Sequence, residues 1–389
     1  MSTTTTTITS TLDSEMPASN LVPTIDISPF ILDPTSPLVD KIVEAARKAC
    51  IETGFFQITG HGISEELQSE LFEASKQFFA LSPEEKESLD VNTKPGRKGY
   101  DAAEAYNGEK LPDLKEVMFK NSASPGNCTF SVQLVDATRI VHSHLFETYK
   151  SYQSFFLGHD NSPDDPAVLS HRFFMGPNVW PSNSLLASSS FREPVERYFT
   201  AINKLATQVL DLVALTLPYG RDIFSNFKTG HVVAPLRLLH YPPGKPLPGT
   251  DHSNSDQAQL GAGAHTDFGA ITILLQDTNP GLQVLHPKTQ EFVPVPPTPG
   301  AFVVNVGDML TAWTGGVYKS SVHRVINDNP VDRYSAAFFF NGNLDCELDP
   351  LDGREPVQGA EGVGGIGTKG WTVEKHMIKR IQQSYGGRE

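Results

Sequence analysis

From Val232 onward the chain is a succession of short apolar segments broken by glycine and proline: LRLLHY, AITILLQ, GLQVLH, FVPV, AFVVNVGDMLTAW, KSSVHRVI and RYSAAFFF. No other feature restricts the fold as strongly. Short runs rich in β-branched and aromatic residues, bounded by turn residues, read as strands. Many of them in succession predict an antiparallel barrel or sandwich. Such β-structure needs helices against its outer face if both of its sides are to be buried.

Those helices are legible upstream. Residues 38–53 carry Ile42, Ala45, Ala46 and Cys50 at helical spacing, and a second helix carries Leu67, Leu71, Phe72, Phe78 and Phe79 on one face. Ser82-Pro83-Glu84-Glu85 reads as an N-cap with proline in the first helical position and acids in the first turn. Residues 132–157 and 191–217 each read as one helix, the latter with Tyr198, Ile202, Leu205, Val209 and Leu212 as its core stripe. VPTIDIS and GFFQITGHGI read as strands, and residues 91–127 as mostly loop with a strand at 114–120. A glycine-rich stretch, 359–370, leads to a final helix at 373–384. The organisation that follows is a disordered Thr/Ser-rich tail (1–20) and one domain (21–389). That domain has a mainly helical part (21–231), a β core (about 232–345) and a C-terminal loop and helix (346–389).

Composition narrows the partners. Lys and Arg number 31 against 45 Asp and Glu, a net charge of −14, which disfavours a nucleic-acid backbone or an anionic membrane as partner. No apolar run approaches the roughly eighteen residues of a membrane span. Cys50, Cys128 and Cys346 are far apart with no CxxC pair, which fits packing roles in a reducing, cytoplasmic setting. A small molecule is the expected partner, and nothing in the sequence speaks to oligomeric state.

The chemistry centres on His265-Thr266-Asp267 and on His323 in SSVHRV. On a strand, positions i and i+2 share a face, so His265 and Asp267 can point together into a lumen that a second histidine completes. Two imidazoles and one carboxylate, with open positions left over, form the ligand set of non-haem Fe(II) oxygenases. Ten residues beyond His323, Arg333 and Ser335 share a strand face. A guanidinium fork with a hydroxyl beside it suits a carboxylate, and the following AAFFF is too apolar for a solvated strand. Tyr241, in LRLLHYPP, can add a phenolic donor. His61, His252 and His286 sit in turns or loops and are discounted as ligands.

With these residues in hand the chain resembles the isopenicillin N synthase-like family of 2-oxoglutarate- and Fe(II)-dependent dioxygenases. The resemblance runs through VPTIDIS, ACIETGFFQITGHGI, LSPEEKE, KGYD, DLKEVMF, LRLLHYPP, GAHTDFGAITILLQD, GLQVLHP, PGAFVVNVGDML, YKSSVHRV and DRYSAAFFFN, in order across most of the chain. It implies a mostly β fold with flanking helices, whose core is a distorted double-stranded β-helix (jelly roll) with helices packed outside. It implies iron on His265, Asp267 and His323, and 2-oxoglutarate held by Arg333 and Ser335 with Tyr241. The implied reaction consumes O2, converts 2-oxoglutarate to succinate and CO2, and oxidises a C–H bond of a small organic molecule by hydroxylation, desaturation or ring rearrangement, in specialised metabolism. Leu239 replaces an asparagine common in the family. Val117, Phe119, Arg237, Phe339 and Asn341 are the substrate-contact candidates. Two other readings stay open: an iron- and O2-dependent oxidase that uses the Arg-x-Ser pair on its substrate and needs no 2-oxoglutarate, and a non-catalytic barrel that binds a small molecule.

Overall fold

A computed structural model of the chain describes residues 21–101, 152–244, 260–353 and 370–385. The tail at 1–20, the strand expected at 114–120 with Val117 and Phe119, His252, Cys128 and most of the glycine-rich stretch lie outside these residues. The described strands begin with β1 (Thr24–Asp26), β2 (Phe55–Thr59), β3 (Gly99–Asp101) and β4 (Gln153–Leu157). The β-rich part then supplies β5 (Val232–Val233), β6 (Leu236–Tyr241), β7 (Leu260–His265), β8 (Ile271–Gln276), β9 (Leu282–Leu285), β10 (Phe292–Pro294), β11 (Phe302–Val306), β12 (His323–Ile326), β13 (Arg333–Phe340) and β14 (Gly342–Asn343).

Two sheets organise all of them but β5 and β14, which pair with each other. The larger has the order β1-β2-β11-β8-β13-β6-β4-β3 and the smaller β10-β9-β12-β7. Between β6 and β13 the chain passes back and forth from one sheet to the other, the winding expected of a double-stranded β-helix. Neighbours pair antiparallel except β1 with β2. Small apolar clusters bridge the sheets: Phe55, Val303, Leu282 and Val284 in one, and Leu239, Tyr241, Ala337 and Val325 in the other.

The main core lies on the opposite face of the larger sheet. There the helices Glu65–Phe79 and Arg192–Leu215 cover β6, β8 and β13, and Phe78, Tyr198, Ile202 and Val209 are fully buried. Leu236, Leu238, Ala336 and Phe338 point into this layer, so alternate residues of β6 and β13 are left for the space between the sheets. The expected helices appear as Val39–Glu52, Glu65–Phe79, Arg192–Leu215 and Val373–Tyr385. Ser82 forms a capping box with Glu85.

Three local expectations need correction. Residues 153–157 are not the end of a helix; they form β4, paired with β6 and β3. Both faces of QSFFL are covered, so its apolar residues run together and lose the alternation that marks a strand. Within AFVVNVGDMLTAW the strand stops at Val306, and Asp308–Trp313 is helical. The N–H groups of Gly307, Asp308 and Met309 bond to the carbonyls of Ala270, Asp267 and Gly269, which draws the chain away from the sheet. Only glycine fits at 307, since a Cβ there would lie 2.2 Å from the Gly269 carbonyl. Finally, residues 99–101 form β3 inside a stretch expected to be mostly loop.

Candidate metal centre and its cavity

His265 closes β7 and pairs directly with His323, which opens β12. Their rings lie 4.3 Å apart between centroids. Asp267 is not on the strand, as an i, i+2 strand pair would have required; it sits in the turn that follows. That turn is fixed by the Asp308 N–H bonding to the Asp267 carbonyl and the Gly307 N–H to that of Ala270. The carboxylate still reaches the histidines, with Oδ1 3.8 Å from both His265 Nε2 and His323 Nε2. One ligand atom from each of the three residues lies within 4.8 Å of the other two.

Every other polar atom of this triangle is occupied. His265 Nδ1 donates to the Gly263 carbonyl (2.7 Å) and His323 Nδ1 to the Ser321 carbonyl (3.1 Å). A ring that donates from Nδ1 keeps its Nε2 lone pair for a metal. Asp267 Oδ2 accepts from Thr272 Oγ1 (2.5 Å) and Asn305 Nδ2 (2.7 Å), leaving Oδ1 to the histidines. Burial, reinforced by His323, pushes His265 down to about 4, so its imidazole is neutral. Burial alone would raise Asp267, but the two histidines and the bonds from Thr272 and Asn305 outweigh it and hold the carboxyl below its usual range. Two imidazoles and one carboxylate, all aimed at one point, fit a divalent iron.

Arg333 is fully buried on β13, opposite Tyr241 on β6. Its Nε donates to the Asn279 carbonyl (3.2 Å) and one terminal nitrogen to Gln276 Oε1 (3.0 Å). The guanidinium lies 4.8 Å over the Tyr241 ring. The other terminal nitrogen, Nη1, is buried without a partner. Leaving a buried charged donor unbonded is costly, so the group is shaped to receive an anion. Ser335, also buried, follows two residues along the same strand face.

Beside the triangle a cavity of about 140 Å³ opens, lined by His265, Asp267, Phe268, Phe339 and Asn341 among others. Two of the substrate candidates, Phe339 and Asn341, are thus brought beside the His265, Asp267 and His323 triangle. Arg237 does not line the cavity itself but sits against residues that do, pairing with Asp101 at 3.8 Å and lying 4.5 Å from the Phe156 ring, and it donates to Tyr152 Oη and Ser154 Oγ.

The remaining wall comes from outside the sheets. Phe173 and Phe174 reach the cavity from one segment and Met377 and Ile381 from the C-terminal helix. Side chains fasten these pieces together. Arg172 bonds to both carboxylate oxygens of Glu374 and to Asp345, and the Phe173 N–H donates to Glu374 Oε1. His376 Nε2 donates to the Phe268 carbonyl at 2.9 Å. Arg380 reaches Thr266 Oγ1 (3.1 Å) and Asp308 (3.2 Å).

Sequence reasoning missed Thr272, Asn305 and this wall. A signal existed for Asn305, the one polar residue in the strand FVVNV, and for Thr272, its cross-strand neighbour in ITILLQ. None existed for Phe173 or Met377, whose proximity to the ligands depends on chain segments far apart in sequence.

Comparison with known proteins agrees with this geometry. A family model described as the 2OG-Fe(II) oxygenase superfamily matches residues 233–342, and one described as the N-terminal region of non-haem dioxygenases in morphine synthesis matches 22–136. The 2-oxoglutarate-dependent dioxygenase citB of Monascus ruber is 44% identical over 95% of this chain and 97% of its own length. Clavatol oxidase claD of Penicillium crustosum is 39% identical over 94% of this chain and 96% of its own. Among solved structures, full-length Neurospora crassa T7H in complex with alpha-KG and thymine superposes with a TM-score of 0.66 at 26% identity, covering 94% of this chain and 97% of that one.

Proposed function

The chain belongs to the 2-oxoglutarate- and Fe(II)-dependent oxygenase superfamily, and from that premise we propose that His265, Asp267 and His323 hold its iron and that Arg333 anchors the far carboxylate of 2-oxoglutarate. The enzyme is a dioxygenase whose double-stranded β-helix carries the reaction, with 2-oxoglutarate as cosubstrate and a small organic molecule as substrate. Bound iron and 2-oxoglutarate together supply the oxidation of a C–H bond by O2, with 2-oxoglutarate converted to succinate and CO2.

The observation that carries the residue assignment is the convergence of three ligand atoms near a buried guanidinium nitrogen. Both Nε2 atoms and Asp267 Oδ1 are turned toward each other while their partner atoms are tied down. At the other station, Arg333 Nη1 is buried and bare. Asn305 and Thr272 orient the carboxylate, and the Gly263 and Ser321 carbonyls fix the histidine tautomers. Ser335 lies beside the anchor, and the Tyr241 ring packs under the guanidinium. We place the enzyme in the cytoplasm, where the free Cys50 and Cys346 thiols are stable; among the described residues no helix is long and apolar enough to cross a membrane. The fungal relatives, among them a clavatol oxidase, support a role in specialised metabolism.

The test is an anaerobic titration of the purified protein with Fe(II) and 2-oxoglutarate, read by the visible charge-transfer absorbance of their chelate. Admission of O2 should then release succinate. The band and the succinate are expected in the natural protein and absent in Asp267→Ala. An Asp267→Ala protein that kept both would remove His265, Asp267 and His323 from the metal.

A further inference from the structure

The cavity beside the ligand triangle has a definite chemical character. Phe156, Phe173, Phe174, Phe268 and Phe339 surround it. Aromatic walls favour a flat partner, which they can meet stacked or edge-on. Size sharpens this. About 140 Å³ is close to the roughly 150 Å³ of an apolar protein cavity that accepts benzene, and below the ~300 Å³ where typical ligand pockets begin. One ring fits against these walls, with substituents directed toward the mouth.

The polar groups say what the ring must carry. Of the charged side chains at the cavity, Asp101 pairs with Arg237 at 3.8 Å, Arg380, behind Thr266, pairs with Asp308 at 3.2 Å, and Arg97, exposed at the rim, is engaged in an interaction of its own. A charged ligand would find no free counter-ion among these side chains, and burying it would be costly. Asn341 differs. It is 3% exposed and lines the cavity. Its backbone N–H bonds to the Val233 carbonyl, but its carboxamide has no hydrogen-bond partner among the described residues. The fold also reserves space for that carboxamide: a Cβ on Gly269 would lie 2.2 Å from Asn341 Oδ1. The glycine of the HTDFG motif is therefore a seat for the asparagine. A carboxamide offers both a donor and an acceptor, so it can read a hydroxyl or a carbonyl on the edge of a ring.

Resting on the functional reading above, we propose that the substrate is a compact, uncharged molecule built on a single aromatic ring, and that Asn341 orients it through a hydrogen bond to a ring hydroxyl or carbonyl. Asn341 thereby chooses which C–H bond faces the metal.

The test uses the full-length protein loaded with Fe(II) and 2-oxoglutarate and measures how four probes change the rate of succinate release. The probes are p-cresol, toluene, 4-methylbenzoate and L-isoleucine. We expect p-cresol to accelerate release about tenfold more than toluene, the difference one satisfied hydrogen bond makes, and 4-methylbenzoate and L-isoleucine to do nothing. Asn341→Ala should bring p-cresol and toluene within about twofold of each other, its anaerobic charge-transfer band showing that the variant still folds. Stimulation by L-isoleucine or 4-methylbenzoate equal to that by p-cresol overturns the proposal. So does indifference to all four probes, or an Asn341→Ala protein that keeps the natural preference. A failure of the metal and cosubstrate assignment would look different, because the band would survive in Asp267→Ala.

Discussion

At the inner end of the cavity His265 and His323 face each other across paired strands, and the turn that carries Asp267 is tied by backbone bonds to the start of the next helix. At the outer end Phe173, Phe174, Met377 and Ile381 are set in place by side chains: Arg172 with Glu374 and Asp345, and His376 on the Phe268 carbonyl. The first arrangement is fixed by sheet register, where a slip of one residue would turn every side chain to the wrong face. The second can change one residue at a time without disturbing the strands. Chemistry held by the ladder and selectivity held by the wall let one scaffold serve different substrates.

The largest effect that would sharpen this contrast is at the anchor. Arg333→Met should raise the KM for 2-oxoglutarate about 100-fold, since hydrogen bonds to a charged group contribute about 1.5–3 kcal/mol. Arg333→Lys should recover only part, because an ammonium lacks the planar fork. Neither should change the ranking of the aromatic probes. Steady-state kinetics in 2-oxoglutarate check this, and an unchanged KM in both variants would remove Arg333 from the cosubstrate.

Next comes the wall. His376 is fully buried, and burial, opposed by its bond to Phe268, pushes it down to about 4. The unfolded chain binds a proton as pH falls through about 6.5, while the folded chain refuses it until about 4, so stability is lost across that window. By pH 5 the loss is ~2 kcal/mol. His376→Gln keeps an amide donor for the Phe268 carbonyl and cannot titrate. Denaturant unfolding at pH 7 and pH 5 should therefore show a steeper loss in the natural protein than in the variant. Equal slopes would mean that His376 is not what makes the wall sensitive to acid.

The same contrast explains what the sequence revealed. Arg333, Ser335 and Tyr241 were legible because a strand's two-residue period places alternate side chains on one face. His265 and Asp267 were legible as a pair that meets His323 but not in their local geometry, since the turn depends on carbonyls accepting from residues about forty positions away. Residues 153–157 were misread because burial on both sides erases alternation. Phe173 and Met377 could not be read at all, for their neighbours are decided by Arg172 and Glu374, which are 202 residues apart. Local period reports the ladder and is silent on tertiary ion pairs.

A smaller effect tests the support of the metal itself. Asn305→Ala removes one donor from Asp267 Oδ2 and leaves Thr272. Loss of such an orienting bond typically costs 10- to 100-fold in metal affinity, and with Thr272 retained about tenfold is expected. Anaerobic Fe(II) titration measures it. An affinity that did not move would show that the turn backbone alone aims the carboxylate.

The smallest effect separates the two ways of holding the wall. Arg172 and Glu374 are 18% and 23% exposed, so solvent screens much of their attraction, and a pair of this kind contributes about 1 kcal/mol. Glu374→Gln keeps an oxygen for the Phe173 N–H and removes only the charge. It should lower stability by about that amount, raise the concentration of p-cresol needed for half-maximal stimulation, and leave Fe(II) affinity alone. Asp345, the other carboxylate on Arg172, responds to pH differently from His376. Hydrogen bonds from Arg172 hold Asp345 down at about 2. A carboxylate depressed in this way contributes stability that is fully present above about pH 4 and lost only as pH falls toward 2. The gap between the natural protein and Glu374→Gln should shrink with added salt, while the His376→Gln gap moves with pH. If both gaps moved together, the ion pairs and the buried histidine would be one cooperative latch, and the wall would be as tightly specified as the ladder it faces.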